Sequence, residues 1–124
     1  MPMTIGGVRM PAEPSDTIRV LVDRLWPRGI AKASVPWDIW AQEMSPSTVL
    51  RRWYGHDPDR YEEFRRRYFA ELRASLPNAA VDQVMGVWRE RPVMLVTASR
   101  EVVQSHVPVL REFLMDLAGA EQLR

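Results

Sequence analysis

Residues 23–29 read Asp-Arg-Leu-Trp-Pro-Arg-Gly, and Lys32 follows three positions later. Over residues 18–34 four cations, Arg19, Arg24, Arg28 and Lys32, stand against one acid, Asp23, a local excess of +3. Guanidinium forks match carboxylate and phosphate oxygens two bonds at a time, while an ammonium acts as a point charge. Pro27 and Gly29 fix a sharp loop and let the backbone come close to a ligand. This combination points to a pocket for a small anion, phosphate or carboxylate. The competing interpretation is structural: Asp23 pairs with Arg24 or Arg100 in a network that caps the strand ends. An Asp held between arginines has its pKa lowered, which suits an orienting group better than a general base.

A second polar cluster, Thr97-Ala98-Ser99-Arg100, is followed by His106. His106 is the acid/base candidate, although its place on an apolar stripe equally suits a core histidine. Asp23 and His106 are thus the catalytic candidates; Arg24, Trp26, Arg28, Lys32, Ser99 and Arg100 are the expected ligand contacts. Ser99 and Ser105 become nucleophiles only if a base reaches them, and neither a Gly-x-Ser-x-Gly elbow nor a Walker loop is present. His56 lies in the turn Gly55-His56-Asp57-Pro58. Two separated histidines without a carboxylate frame, in a chain with no Cys, predict no metal site, and no cofactor is expected. Trp37 and Trp40, at helical spacing, are expected in the core; a groove lined by indoles, with Trp53, is the alternative.

The elements that position these groups follow from pattern. Residues 18–22 and 93–97 are short, β-branched apolar runs ending in turn chemistry, and they predict strands. Their apolarity is continuous rather than alternating, as in parallel strands buried on both faces. Residues 3–8 suggest a third strand, and residues 6–16 read as a loop. Ser45-Pro46-Ser47 predicts an N-cap with Pro at the first helical position, the helix ending at Gly55. Asp57-Pro58 opens a second helix with Tyr61, Phe64, Tyr68, Leu72 and Leu76 on one stripe. Its charged face, Glu62, Glu63, Arg65, Arg66, Glu71 and Arg73, predicts solvated local ion pairs. Pro77-Asn78 opens a third helix with Val81, Val84, Met85 and Trp88 inward. The last stripe is Val103, His106, Leu110, Phe113 and Leu117, with Pro108 either near the helix start or kinking it.

The order strand, helices, strand, helix predicts an α/β fold: a small, mostly parallel sheet of two or three strands packed by four to five helices, in one domain spanning 1–124. The long crossover is expected to be right-handed. Ligands in such sheets bind beyond the carboxyl ends of the strands, so parallel neighbours at 18–22 and 93–97 would bring both polar clusters to one edge.

Composition sets outer bounds. The net charge of +1 gives no global case for nucleic acid. Lys32 is the only lysine among 17 basic residues. The longest clean apolar run, Val93–Val96, is too short to span a bilayer, no leader is recognised at the N-terminus, and the absence of Cys fits a reducing compartment.

The stretch Arg19-Val20-Leu21-Val22-Asp23-Arg24-Leu25-Trp26-Pro27-Arg28-Gly29, with Lys32, resembles the signature of the YeaO-like proteins, a domain of unknown function (DUF 488). The likeness continues through Trp37, Ser45-Pro46-Ser47, Leu50-Arg51, Trp53, His56-Asp57-Pro58, Phe64, Tyr68, Glu71 and Leu72, and resumes at His106, Val109 and Leu110. It implies a small cytoplasmic α/β domain and no established activity. Family members commonly carry an Asn–His pair after the second strand; here Ser105-His106 stands there, so His106 carries over and the amide does not. Three functions are in play. The leading one is an anion pocket at the strand ends, with acid/base chemistry at His106 as its enzymatic form. The others are nucleic-acid or nucleotide binding by the Arg-rich 51–73 segment, against which its interleaved acids count, and self-association as a homodimer through an aromatic helical face.

Overall fold

The computed structural model describes residues 1–11 and 15–122. Four parallel strands, β1 (Met3–Gly7), β2 (Ile18–Leu21), β3 (Ile39–Trp40) and β4 (Val93–Thr97), form one sheet in the order β1-β4-β2-β3. The helices are α1 (Thr48–Tyr54), α2 (Tyr61–Ala74), α3 (Ala79–Glu90) and α4 (Val107–Gln122), with short 3-10 turns at Lys32–Ser34, Gln42–Met44, Pro58–Arg60 and Val102–Gln104. The class is the expected α/β, with one strand more than the two or three anticipated. Of the loop expected over 6–16, residues 12–14 lie outside the described residues.

The extra strand is β3. It holds only two residues, pairing Val20 with Ile39 and Leu21 with Trp40, too few to show a period. Trp37 and Trp40 therefore do not share a helix. Their i, i+3 spacing spans a loop residue and a strand residue, and both rings meet Trp26 edge-on, at 4.9 and 5.5 Å between centroids.

The central strands are buried on both sides: Val20, Leu21, Val22, Leu95 and Val96 are all fully enclosed. One face of the sheet, with Met3, Val20, Val22, Val93 and Leu95, packs on the four helices through Leu50, Phe64, Tyr68, Leu72, Val81, Val84, Leu110 and Leu114. The other face, with Leu21 and Val96, is covered by Val8, Trp26, Ile30, Trp37 and Trp40 from loops and β3. At about 1.5–3 kcal/mol for each fully buried large aliphatic side chain, these two layers supply the main cohesion of the fold. Arg19 is also buried, and its guanidinium donates to the Met10 and Val8 carbonyls (2.9 and 3.1 Å), fastening the turn after β1 to β2.

Local capping chemistry sets the helix ends. Ser47, not Ser45, caps α1: its Oγ accepts from Leu50 N–H (3.1 Å), so Pro46 lies before the helix rather than inside it. Gly55 closes α1 in the left-handed region (φ 54°), where glycine carries little strain. Asp57 caps a 3-10 turn at Pro58–Arg60 that leads into α2, and Asn78 Oδ1 accepts from Ala80 and Val81 N–H to open α3. α4 begins at Val107, so Pro108 occupies the first turn, where its missing N–H has no helical acceptor. Val103 consequently falls outside the helix and is exposed.

Candidate functional site

β2 and β4 are hydrogen-bonded parallel neighbours, so the segments after Leu21 and Thr97 leave the sheet at the same edge. Val22 extends the pairing by one residue through its N–H to the Val96 carbonyl (3.1 Å). Asp23 then turns its carboxylate across to β4. Oδ1 accepts from Thr97 Oγ1 and Oδ2 from Ala98 N–H, each at 2.7 Å. The Asp23 carbonyl accepts from Trp40 Nε1, also at 2.7 Å. One residue thus ties together β2, β3 and β4. Among the described residues the pairing with Arg24 or Arg100 that the competing structural interpretation called for does not form. The end of β4 presents a hydroxyl and an amide at ideal range, one to each carboxylate oxygen. Arg24 points instead toward the carbonyls of Pro46 and Ser45, at 3.4 and 3.5 Å.

His106 lies immediately before α4. Its Nε2 is 2.8 Å from the Val22 carbonyl and 3.4 Å from Asp23 Oδ1. A carbonyl only accepts, so Nε2 carries the hydrogen and the lone pair stays on Nδ1. The ring meets Tyr68 edge-on at 6.0 Å, and the Tyr68 hydroxyl donates to the Met44 carbonyl. Burial lowers the His106 pKa; the Asp23 carboxylate and the Val22 hydrogen bond pull it up, Arg51 pushes it down further, and the net shift is downward. The imidazole is therefore neutral at pH 7. Ser105 Oγ accepts from Val107 N–H (3.2 Å).

Against this edge lies a cavity of about 630 Å³. Residues 23–28, the Thr97–Ser99 turn, Ser105 and His106 form part of its wall; Ser45, Pro46, Thr48, Arg51, Arg52, Tyr54 and His56, on and beside α1, form another, with Phe64 of α2. Its lining holds four arginines, Arg24, Arg28, Arg51 and Arg52, and a single carboxylate, Asp23. Arg28, Arg51 and Arg52 are exposed. Trp26 Nε1 donates to the Ile30 carbonyl (2.7 Å), closing the loop, and Gly29 supplies the positive φ (78°) this turn requires. Ser99 lines the cavity and its N–H donates to Thr97 Oγ1 (3.1 Å). Lys32, in the 3-10 turn Lys32–Ser34, and Arg100 are exposed and lie off the lining. Of the indoles, Trp26 alone lines this cavity; Trp53 stacks under the Arg67 guanidinium, 4.1 Å from its ring centre. Among the described residues no three His, Asp or Glu side chains gather as metal ligands would.

The model of the inactive DUF488-N3 subclade matches residues 3–123. The chain belongs to the DUF488-N3 family. It is 43% identical over 102 residues to the uncharacterized protein Rv3073c of Mycobacterium tuberculosis, covering 82% of this chain and 84% of that protein. It is 37% identical over 107 residues to the uncharacterized protein YeaO of Escherichia coli, covering 86% of this chain and 91% of that one. No solved structure matches significantly. The YeaO-like resemblance of the sequence therefore holds. In this DUF488-N3 chain the motif residues Asp23, Trp26 and Arg28 meet His106 around one cavity, although about eighty positions separate them in sequence. Arg51, Arg52 and His56 were not anticipated there. The cap at Ser47 and the stop at Gly55 define the helix of Arg51 and Arg52, with His56 in the turn just after it, but only packing brings α1 to this edge of the sheet.

Proposed function

We propose that the chain binds a small anion, phosphate or carboxylate, in this cavity and acts as a binding protein rather than a catalyst. The observation that carries this proposal is the imbalance of the lining: four arginines against one carboxylate whose two oxygens are already engaged. Arg28, Arg51 and Arg52 supply the fork-like donors, Arg24 adds charge beneath them, and Trp26 and Ser99 form wall. Asp23 and His106 serve as positioning residues. One observation favours binding over chemistry: the matched subclade is described as inactive. His106 Nε2 donates to the Val22 carbonyl and leaves the ring's lone pair on Nδ1, while Asp23 accepts from Thr97 and Ala98. The nucleic-acid alternative is weakened by the α2 surface. There Arg66 and Arg67 pair with Glu63, and Arg65 with Glu112 of α4, which neutralises the basic face locally.

The test is titration calorimetry and thermal unfolding with inorganic phosphate. Wild type should be stabilised by millimolar phosphate in a salt-sensitive way. The Arg51→Ala/Arg52→Ala double variant, changed only at exposed positions, should unfold normally without phosphate and lose that response. A wild type indifferent to phosphate and to acetate would remove the proposal.

A further inference from the structure

We infer that the ligand is an amphipathic anion, an aryl or alkyl phosphate or carboxylate, with its charged group at the arginine rim and an apolar body inside. This rests on the anion-binding proposal above and specifies what else the ligand must carry. Four hydroxyls of the lining, on Thr97, Ser105, Ser45 and Tyr54, are already bonded within the fold. Thr97 Oγ1 donates to Asp23 and accepts from Ser99 N–H. Ser105 Oγ donates to the Val102 carbonyl (2.6 Å) and accepts from Val107 N–H. Ser45 Oγ donates to Gln42 O (2.6 Å), and the Tyr54 hydroxyl to Gln104 O (2.7 Å). A hydroxyl-rich body such as a sugar would meet few free partners beside these four groups, and a buried hydroxyl left unpaired is costly.

Between those groups the wall is apolar: Leu25, Trp26, Pro27, Pro46 and Phe64. Leu25 is 64% exposed although it belongs to neither packed cluster, so its apolar surface is left available at this cavity. The volume, about 630 Å³, lies within the roughly 300–1,000 Å³ of small-molecule sites and exceeds what a bare phosphate fills. The exposed cations, Arg28, Arg51 and Arg52, place the charge at the mouth, so the remaining space faces the apolar wall.

Titration calorimetry on the full chain compares inorganic phosphate, phenyl phosphate and glycerol phosphate. Phenyl phosphate should bind about twentyfold tighter than inorganic phosphate, the gain from six ring atoms at ordinary ligand efficiency, and should perturb Trp26 fluorescence. Glycerol phosphate should gain nothing. Leu25→Asn, at an exposed side chain, should cut the preference for phenyl over inorganic phosphate severalfold. Equal affinities for phenyl and inorganic phosphate, or tightest binding of glycerol phosphate, would overturn this inference while leaving the anion site standing. Binding of none of the three would overturn both.

Discussion

Removing the Asp23 carboxylate tests what that residue is for. In Asp23→Ala two hydrogen bonds to an ionised acceptor are lost, from Thr97 Oγ1 and Ala98 N–H, each 2.7 Å long. Bonds of that kind contribute about 1.5–3 kcal/mol each. Asp23 keeps 16% of its side chain exposed, so water entering from the cavity satisfies part of the deficit. The net cost should be about 3–4 kcal/mol, out of a total of about 5–15 kcal/mol for a domain. At about 3–5 °C per kcal/mol for a chain of this size, the melting temperature falls by about 9–20 °C. Asp23→Asn keeps one acceptor for Ala98 N–H and loses mainly the charge, so it should cost about 1–2 kcal/mol. Urea unfolding of both variants, and of Thr97→Val in each background, measures this directly. Thr97→Val should cost about 1 kcal/mol less in the Asp23→Ala background than in wild type, because its partner is already gone. An Asp23→Ala protein within 1 kcal/mol of wild type, or no coupling to Thr97, refutes the bracing role.

His106, its pKa lowered by burial among Asp23, Arg51 and Tyr68, gives a pH signature. Its stabilising contribution is complete above the unfolded value of about 6.5 and is lost as pH falls through the lowered native value. His106→Gln should therefore lose less stability than wild type between pH 7 and pH 5; an identical pH slope would show that the imidazole is not held neutral. Ser47→Ala removes the acceptor for Leu50 N–H and the donor to Glu71 Oε2 (2.6 Å), leaving Glu71 only the Ser47 N–H (2.9 Å). It should cost about 1–3 kcal/mol by denaturant unfolding, and a neutral result would mean that Ser45 can take over the cap.

The local part of the architecture follows from sequence because its physics is local. A hydroxyl or amide side chain satisfies the first free N–H groups of a helix wherever it occurs, so Asp57, Asn78 and Gly55 mark boundaries that the structure keeps. Continuous apolar runs have to be buried on both faces, which makes 18–22 and 93–97 central, and parallel pairing then sends Asp23 and Thr97 to one edge. Ser45 and Ser47 are both capable caps, and the choice between them came from the position of Glu71 on α2, twenty-four residues away. β3 has two residues and therefore no periodicity of its own; its strand character comes from pairing with β2.

The site divides along the same line. Residue types alone determined that the loop after β2 is cationic and that Asp23 is its lone acid. Which groups Asp23 answers to was decided by tertiary structure: β4 delivers a hydroxyl and an amide at short range, one to each carboxylate oxygen. The presence of Arg51 and Arg52 at the cavity was likewise decided by packing. Nothing within α1 states which end of the sheet it will lie against; the burial of Leu50 and Tyr54 in the shared core fixes the helix there, and the two arginines go with it.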